Sequence, residues 1–282
     1  AERWHVPLRS EPVAPPAVGS GRIIVSAQRG LHQGRLVAFA DRFGDEEWLY
    51  DVDYRVTAPP MIDGNDVYLA DWGGHVHALS IVDGSTHWVR RIGPEETDRV
   101  LGQPVAVHDG TLYAVSRSGQ TGVTALDVAT GEQLWFRSTD RVTMGPVVDD
   151  GLIVVLSGGA VTAFDSDGTE RWVYNVPGLN RHAPLAMDEE RVYVSSGNTL
   201  YALDRGGEKA WEYGPVDDQV GPATVAGDDV LLSSDGTVVA LARADGTRRW
   251  SADTIGNGRV SVTPNAMFMS GSGGRITALG NE

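Results

Sequence analysis

All-β, built from four-stranded antiparallel units repeated along one chain, is the class this sequence predicts, and three observations carry it. First, one short segment recurs from end to end. Val123–Trp135 reads VTALDVATGEQLW, Val161–Trp172 VTAFDSDGTERW, Leu200–Trp211 LYALDRGGEKAW, Val238–Trp250 VVALARADGTRRW and Val76–Trp88 VHALSIVDGSTHW, with Leu36–Trp48 a looser copy. Second, the tryptophans closing these segments, together with Trp4, are spaced by 44, 40, 47, 37, 39 and 39 residues. Third, helical periodicity of any length is missing, while 35 glycines and 14 prolines suit a chain of tight turns.

The elements follow in order within one unit, GPVVDDGLIVVLSGGAVTAFDSDGTERW from Gly145 to Trp172. Period-two alternation gives strands around Pro146–Val148, Leu152–Leu156, Ala160–Phe164 and Glu170–Tyr174, separated by Asp–Gly and Gly–Gly turns, hence a four-stranded meander. Seven motif tryptophans imply seven such units. From Trp250 through the C-terminus and on to Trp4 is 36 residues, one further repeat. The expectation is therefore a seven-bladed β-propeller of four-stranded antiparallel blades, a single domain spanning 1–282. In it, residues 1–10 complete the last blade, whose inner strands come from about Ser261 to Leu279, and this N-terminal strand closes the ring and hides sheet edges.

Each motif residue has a structural task. Asp127 can accept hydrogen bonds from the amides of its own turn, Gly131 supplies positive φ, and Trp135 is a large flat group suited to the gap between twisted sheets. Ser80 and Ala242 replace the aspartate in two copies, where Asp83–Gly84 and Asp245–Gly246 preserve the turn.

With Ala125, Asp127, Thr130, Gly131 and Trp135 in register, the repeat resembles the tryptophan-docking motif of the pyrroloquinoline quinone (PQQ) dehydrogenases and PQQ-like propellers. That family lies within the wider WD40/YVTN-like propellers and includes the BamB-like outer-membrane assembly scaffolds. The resemblance covers essentially the whole chain and speaks to fold, since propellers host many functions. The dehydrogenases it resembles typically have eight blades, stack the cofactor on a disulfide of adjacent cysteines and hold calcium; this chain has zero cysteines. No cofactor is therefore expected.

Charge narrows the partners. With 38 acidic and 23 basic residues the net charge is −15, and Lys209 is the only lysine. Such a surface repels nucleic acid and anionic membrane. An arginine-dominated, acidic composition is expected of a salt-adapted organism, a halophilic archaeon, because multimolar salt screens carboxylate repulsion; such a source would have no outer membrane to assemble. No apolar run is long enough to cross a bilayer as a helix, the start AERWHVPLRSEP lacks the apolar core of a leader, and no direct membrane insertion is expected.

Catalytic motifs are missing. Lys209 has no phosphate-binding loop before it, GNGRVS and GSGGRI lack the third glycine of a dinucleotide fingerprint, and no G-x-S-x-G elbow is present. His75 and His77, two apart on a strand, point the same way and offer half a metal site. Yet His77 aligns with Val37, Thr124, Thr162, Tyr201 and Val239, a packing position, so no metal is expected.

One constellation remains. Between a motif tryptophan and the next proline lies an arginine: Arg55, Arg99, Arg141, Arg181 and Arg259, with Arg9 extending the series and Gln219 interrupting it. In a propeller these connections share one face with the turns between second and third strands, which carry His32, Trp72 and Arg117. Guanidinium suits bidentate contact with carboxylate or phosphate. Asp53, Asp98 and Asp140 precede three of the arginines, so ion-pair bracing of the loops is the competing explanation. The reading is a monomeric, non-enzymatic binding or scaffolding propeller, extracytoplasmic or at the cell surface. It would recognise a protein partner or small anionic ligand through Arg55, Arg99, Arg141, Arg181, Arg259, Trp72 and Arg117. The alternatives are a quinone- or metal-dependent oxidoreductase with its cofactor in the channel, and a ligand-sensing domain of a larger membrane-anchored protein.

Overall fold

Period-two alternation becomes strand throughout the computed structural model, which describes residues 4–8, 10–93, 102–178, 184–217, 219–234, 236–253, 260–263, 266–270 and 276–280. The chain divides into two compact units, Ala1–Pro146 and Val147–Glu282. The first holds three sheets: β1 (Ala17–Gly19), β2 (Arg22–Arg29), β3 (Gln33–Ala40) and β4 (Glu46–Val52); β5 (Met61–Asp63), β6 (Asp66–Ala70), β7 (His75–Ser80) and β8 (Thr86–Arg91); β9 (Ala106–His108), β10 (Thr111–Ser116), β11 (Gly122–Asp127) and β12 (Gln133–Ser138). A fourth sheet has β13 (Val142–Asp149), which runs across the boundary at Pro146, with β14 (Leu152–Ser157), β15 (Ala160–Asp165) and β16 (Glu170–Tyr174).

The second unit continues with β17 (Leu185–Met187), β18 (Arg191–Ser196), β19 (Thr199–Asp204) and β20 (Lys209–Tyr213), then β21 (Thr224–Ala226), β22 (Asp229–Ser234), β23 (Thr237–Ala242) and β24 (Arg248–Asp253). The last sheet is β25 (Val260–Thr263), β26 (Ala266–Ser270) and β27 (Ile276–Gly280). Strands follow one another in sequence order within every sheet. Six sheets are four-stranded where the sequence predicts seven, and among the described residues the seventh has three strands. Residues 4–8 form no strand; instead Val6 and Leu8 pack on Val25, Val37 and Phe39 of the first sheet, whose apolar face they cover.

Six sheets carry the same irregularity. Register shifts at Ala38/Phe39, Ala78/Leu79, Ala125/Leu126, Ala163/Phe164, Ala202/Leu203 and Ala240/Leu241, in each case opposite the residue before the motif tryptophan. Such a bulge sharpens local twist and re-aims the side chain beside it. In the first unit the Trp48 indole donates from Nε1 to Ile81 O at 2.9 Å, and Trp88 to Val128 O at 2.9 Å. In the second, Trp172 donates to Arg205 O at 2.9 Å and Trp211 to Arg243 O at 3.0 Å. Every one of these indoles lies on the turn glycine of the following sheet: a methyl group on Gly84, Gly131, Gly207 or Gly246 would sit 2.5–2.8 Å from the ring. Glycine is required there twice over, for the close approach and for a φ of 69–85°.

Cores form between facing sheets of a unit. Leu36, Val52, Val56, Leu69 and Leu79 bury together with Trp48, and Ala70, Val76, Leu112 and Leu126 with Trp88. In the second unit Tyr193, Leu200, Val230, Leu232 and Leu241 do the same with Trp211. Each fully buried aliphatic contributes roughly 1.5–3 kcal/mol. In a meander, the turn between second and third strands and the connection to the next sheet leave from the same end, so the chemistry of those loops is brought together.

Candidate functional site: the basic loops of the first unit

Arg55 lies in the β4–β5 connection and Trp72 in the β6–β7 turn, and the structure brings them into contact. The Arg55 guanidinium carbon stands 4.9 Å from the Trp72 ring centroid. Trp72 is fixed at both ends: its amide donates to Arg55 O at 2.9 Å, and its Nε1 to Thr57 Oγ1 at 2.9 Å. The Tyr54 ring packs on Gly73, where there is no room for a methyl group. Cation–π contact and indole hydrogen bonding thus hold an arginine against an aromatic platform at the loop end of the second sheet.

The third sheet carries two further cations. Arg117, in the β10–β11 turn, has a buried Nε without a hydrogen-bond partner. Burial, and after it the positive charge of Arg141 at the start of β13, hold the Arg117 guanidinium below the usual arginine value. Arg117 is half-buried and Arg141 exposed, and their like charges oppose one another, so a bound anion would relieve the repulsion.

Bracing by ion pairs does not account for these residues. Asp53 and Asp140 form no salt bridge with Arg55 or Arg141, and among the described residues Arg55, Arg117 and Arg141 pair with no carboxylate. Elsewhere the chain does pair its arginines, as in Arg35–Asp51 at 2.6 Å and Arg205–Asp149 at 2.9 Å. Arg99, Arg181 and Arg259 lie outside the described residues.

Sequence reasoning missed what stands behind the platform. Asp71, 1% exposed, accepts from the His75 amide at 2.9 Å, His75 Nδ1 at 3.2 Å and His77 Nε2 at 3.0 Å. The Tyr50 hydroxyl meets His77 Nδ1 at 3.1 Å. His77 does occupy the buried packing position its alignment implies, but with polar partners on two elements, Tyr50 on β4 and Asp71 in the β6–β7 turn. Asp71, in the β6–β7 turn, sits four residues before His75 at the start of β7, and that spacing was the available signal. Among the described residues no group of three His, Cys, Asp or Glu side chains is arranged to hold a metal ion.

Successive antiparallel four-stranded sheets, tied by indoles docked on turn glycines and carrying chemistry in their loops, define a PQQ-like β-propeller repeat protein. The profile of the family described as "Outer membrane protein assembly factor BamB" matches residues 1–140 and 119–264, and the chain belongs to that family. It is similar to the outer membrane protein assembly factor BamB of Xanthomonas campestris pv. campestris, 34% identical over 110 residues, covering 34% of this chain and 27% of that protein. To the protein of the same name from Burkholderia pseudomallei it is 30% identical over 187 residues, 60% of this chain and 46% of that one. The chain thus spans less than half the length of these curated relatives. A quinohemoprotein alcohol dehydrogenase of Comamonas testosteroni is 27% identical over 156 residues, 46% of this chain and 22% of the enzyme. In fold, the crystal structure of BamB from Moraxella catarrhalis superposes with a TM-score of 0.77 at 22% identity, over 98% of this chain and 85% of that one.

Proposed function

We propose that the protein is a non-enzymatic binding scaffold whose basic loop end takes a carboxylate-bearing segment of a protein partner. The observation that carries this is the set Arg55, Arg117 and Arg141, un-neutralised by any described carboxylate in a chain of net charge −15. Arg99, Arg181 and Arg259 hold the equivalent sequence position in their repeats and belong to the same proposal. Family membership supports a protein-binding role, and the outer-membrane assembly named for the relatives supports an extracytoplasmic location. The same reading has a monomeric seven-bladed ring in which residues 1–10 would complete the last blade, supported by Trp4 docking on Gly44 as the other motif tryptophans dock on their glycines. The halophilic source rests on composition alone.

A labelled oligoaspartate peptide tests the site by fluorescence anisotropy. Two shielded charge-assisted contacts contribute about 1.5–3 kcal/mol each, so R55Q combined with R141Q should weaken binding at least about tenfold with the melting temperature nearly unchanged. Equal affinity of the double variant would move the binding surface elsewhere. Similarity to the quinohemoprotein dehydrogenase favours one rival, a quinone-dependent oxidoreductase; a saturable quench of tryptophan fluorescence by PQQ would support that rival instead.

A further inference from the structure

We propose that this basic site is proton-linked: uptake of one proton at His75 tightens its hold on a carboxylate-bearing ligand. The inference rests on the reading of Arg55 and Trp72 as part of a binding site. It starts from Asp71, 1% exposed in the turn that carries Trp72, which accepts from both imidazoles at 3.2 and 3.0 Å.

The two histidines are not equivalent. His77 is satisfied as a neutral ring, its Nε2–H donating to Asp71 and its Nδ1 accepting from the Tyr50 hydroxyl at 3.1 Å. A second proton on it would have to displace the tyrosine hydrogen. His75 commits only Nδ1 to Asp71; its Nε2 bonds to no described residue, and a quarter of its side chain is exposed, 25%. It can therefore take a proton at Nε2 without breaking a hydrogen bond.

That proton would act on the platform through two contacts. The Asp71–His75 bond becomes charge-assisted. The Tyr54 ring, stacked on His75 with centroids 5.4 Å apart and planes at 30°, then faces a cation. Tyr54 lies on Gly73 and precedes Arg55, so the loop holding Arg55 over Trp72 is drawn onto the turn, and one more positive charge joins the basic end. Around His75 stand Asp71 from the turn, His77 on its own strand, Tyr54 and then Arg55 from the β4–β5 connection, and Arg91 as its cross-strand partner on β8. Arg91 opposes the added charge and Asp71 favours it; the carboxylate is the one in hydrogen-bond contact.

Histidine is the side chain that changes charge between about pH 5 and 8, whereas an oligoaspartate probe stays ionised over most of that range. Oligoaspartate should bind the intact protein about fivefold more tightly at about pH 5.5 than at about pH 8. H75Q should bind as the wild type does at the higher pH and lose the dependence; Y54L, which keeps the packing but not the π face, should lose most of it. A pH slope retained in H75Q overturns the proposal. In the absence of peptide, the Trp72 indole Nε1–H resonance should shift with pH in the wild type and stay fixed in H75Q. This readout separates the two claims: peptide binding absent at every pH sinks the binding-site reading, and an immobile Trp72 resonance in the wild type sinks the proton link.

Discussion

The Trp4 indole donates from Nε1 to the main-chain oxygen of Asp41 at 2.9 Å, and its ring lies on Gly44, where a methyl group would come within 2.7 Å. Trp48 makes the same pair of contacts with Ile81 and Gly84 one sheet later. The N-terminal segment, although not a strand, thus brings to the first sheet the docking residue that a preceding sheet would otherwise supply. W4A should cost about 3 kcal/mol, the low end for a large aromatic because Trp4 is only half-buried. A loss below about 1 kcal/mol in urea unfolding would show that the segment is dispensable.

Two glycines with nearly the same backbone separate close approach from conformational strain. Gly131 at φ 69° has the Trp88 ring 2.6 Å from an added methyl group, whereas Gly151 at φ 72° has nothing within 4 Å. G151A should lose only the left-handed penalty, about 1–2 kcal/mol. G131A should lose that plus about 1–3 kcal/mol of overpacking. Equal denaturation midpoints for the two variants would mean that the indole is free to move.

Acid should weaken the turns selectively. Hydrogen bonds from the Ser85 side chain and amide hold Asp83 down to about 2, and the Thr130 and Thr247 hydroxyls, first among the causes, lower Asp127 and Asp245 in the same way. An unfolded aspartate titrates near 3.9, so between the two values the unfolded chain binds more protons. The contribution is complete above about pH 4 and is lost as pH falls toward about 2. D83N should flatten the fall in urea midpoint over that window, and an unchanged slope would remove Asp83 from the account.

Salt should stabilise the fold. At about 0.1 M KCl the Debye length is roughly 10 Å, long enough for the excess carboxylates of a −15 chain to repel one another, and at about 1 M it shrinks to roughly 3 Å. A melting temperature that is flat across this range would contradict the expectation and the salt-adapted reading with it.

Local chemistry was legible in the sequence and long-range pairing was not. Strands expected around Leu152–Leu156, Ala160–Phe164 and Glu170–Tyr174 appear at Leu152–Ser157, Ala160–Asp165 and Glu170–Tyr174. Asp127 takes the Ala129 amide at 3.1 Å and the Thr130 amide at 2.8 Å, as its turn predicts. Gly131 was readable as a positive-φ residue, but not as the seat of Trp88, because a contact 43 residues distant leaves no periodic trace. His77 likewise aligned with apolar residues, and only the fold brings Tyr50 and Asp71 to its two nitrogens. The place of residues 1–10 rests on length arithmetic, which fixes where the repeat falls and carries no information on whether that segment pairs as a strand.

The docking indoles address main-chain oxygens, and the residues offering them are Asp41, Ile81, Val128, Arg205 and Arg243. An acid, two aliphatics and two cations serve equally, because the bond never reads a side chain. The joint between neighbouring sheets is therefore indifferent to what the turn displays. Duplicated copies of such a unit can diverge in surface chemistry one at a time while the seam that joins them is inherited intact, which leaves evolution free to write a different message on each module.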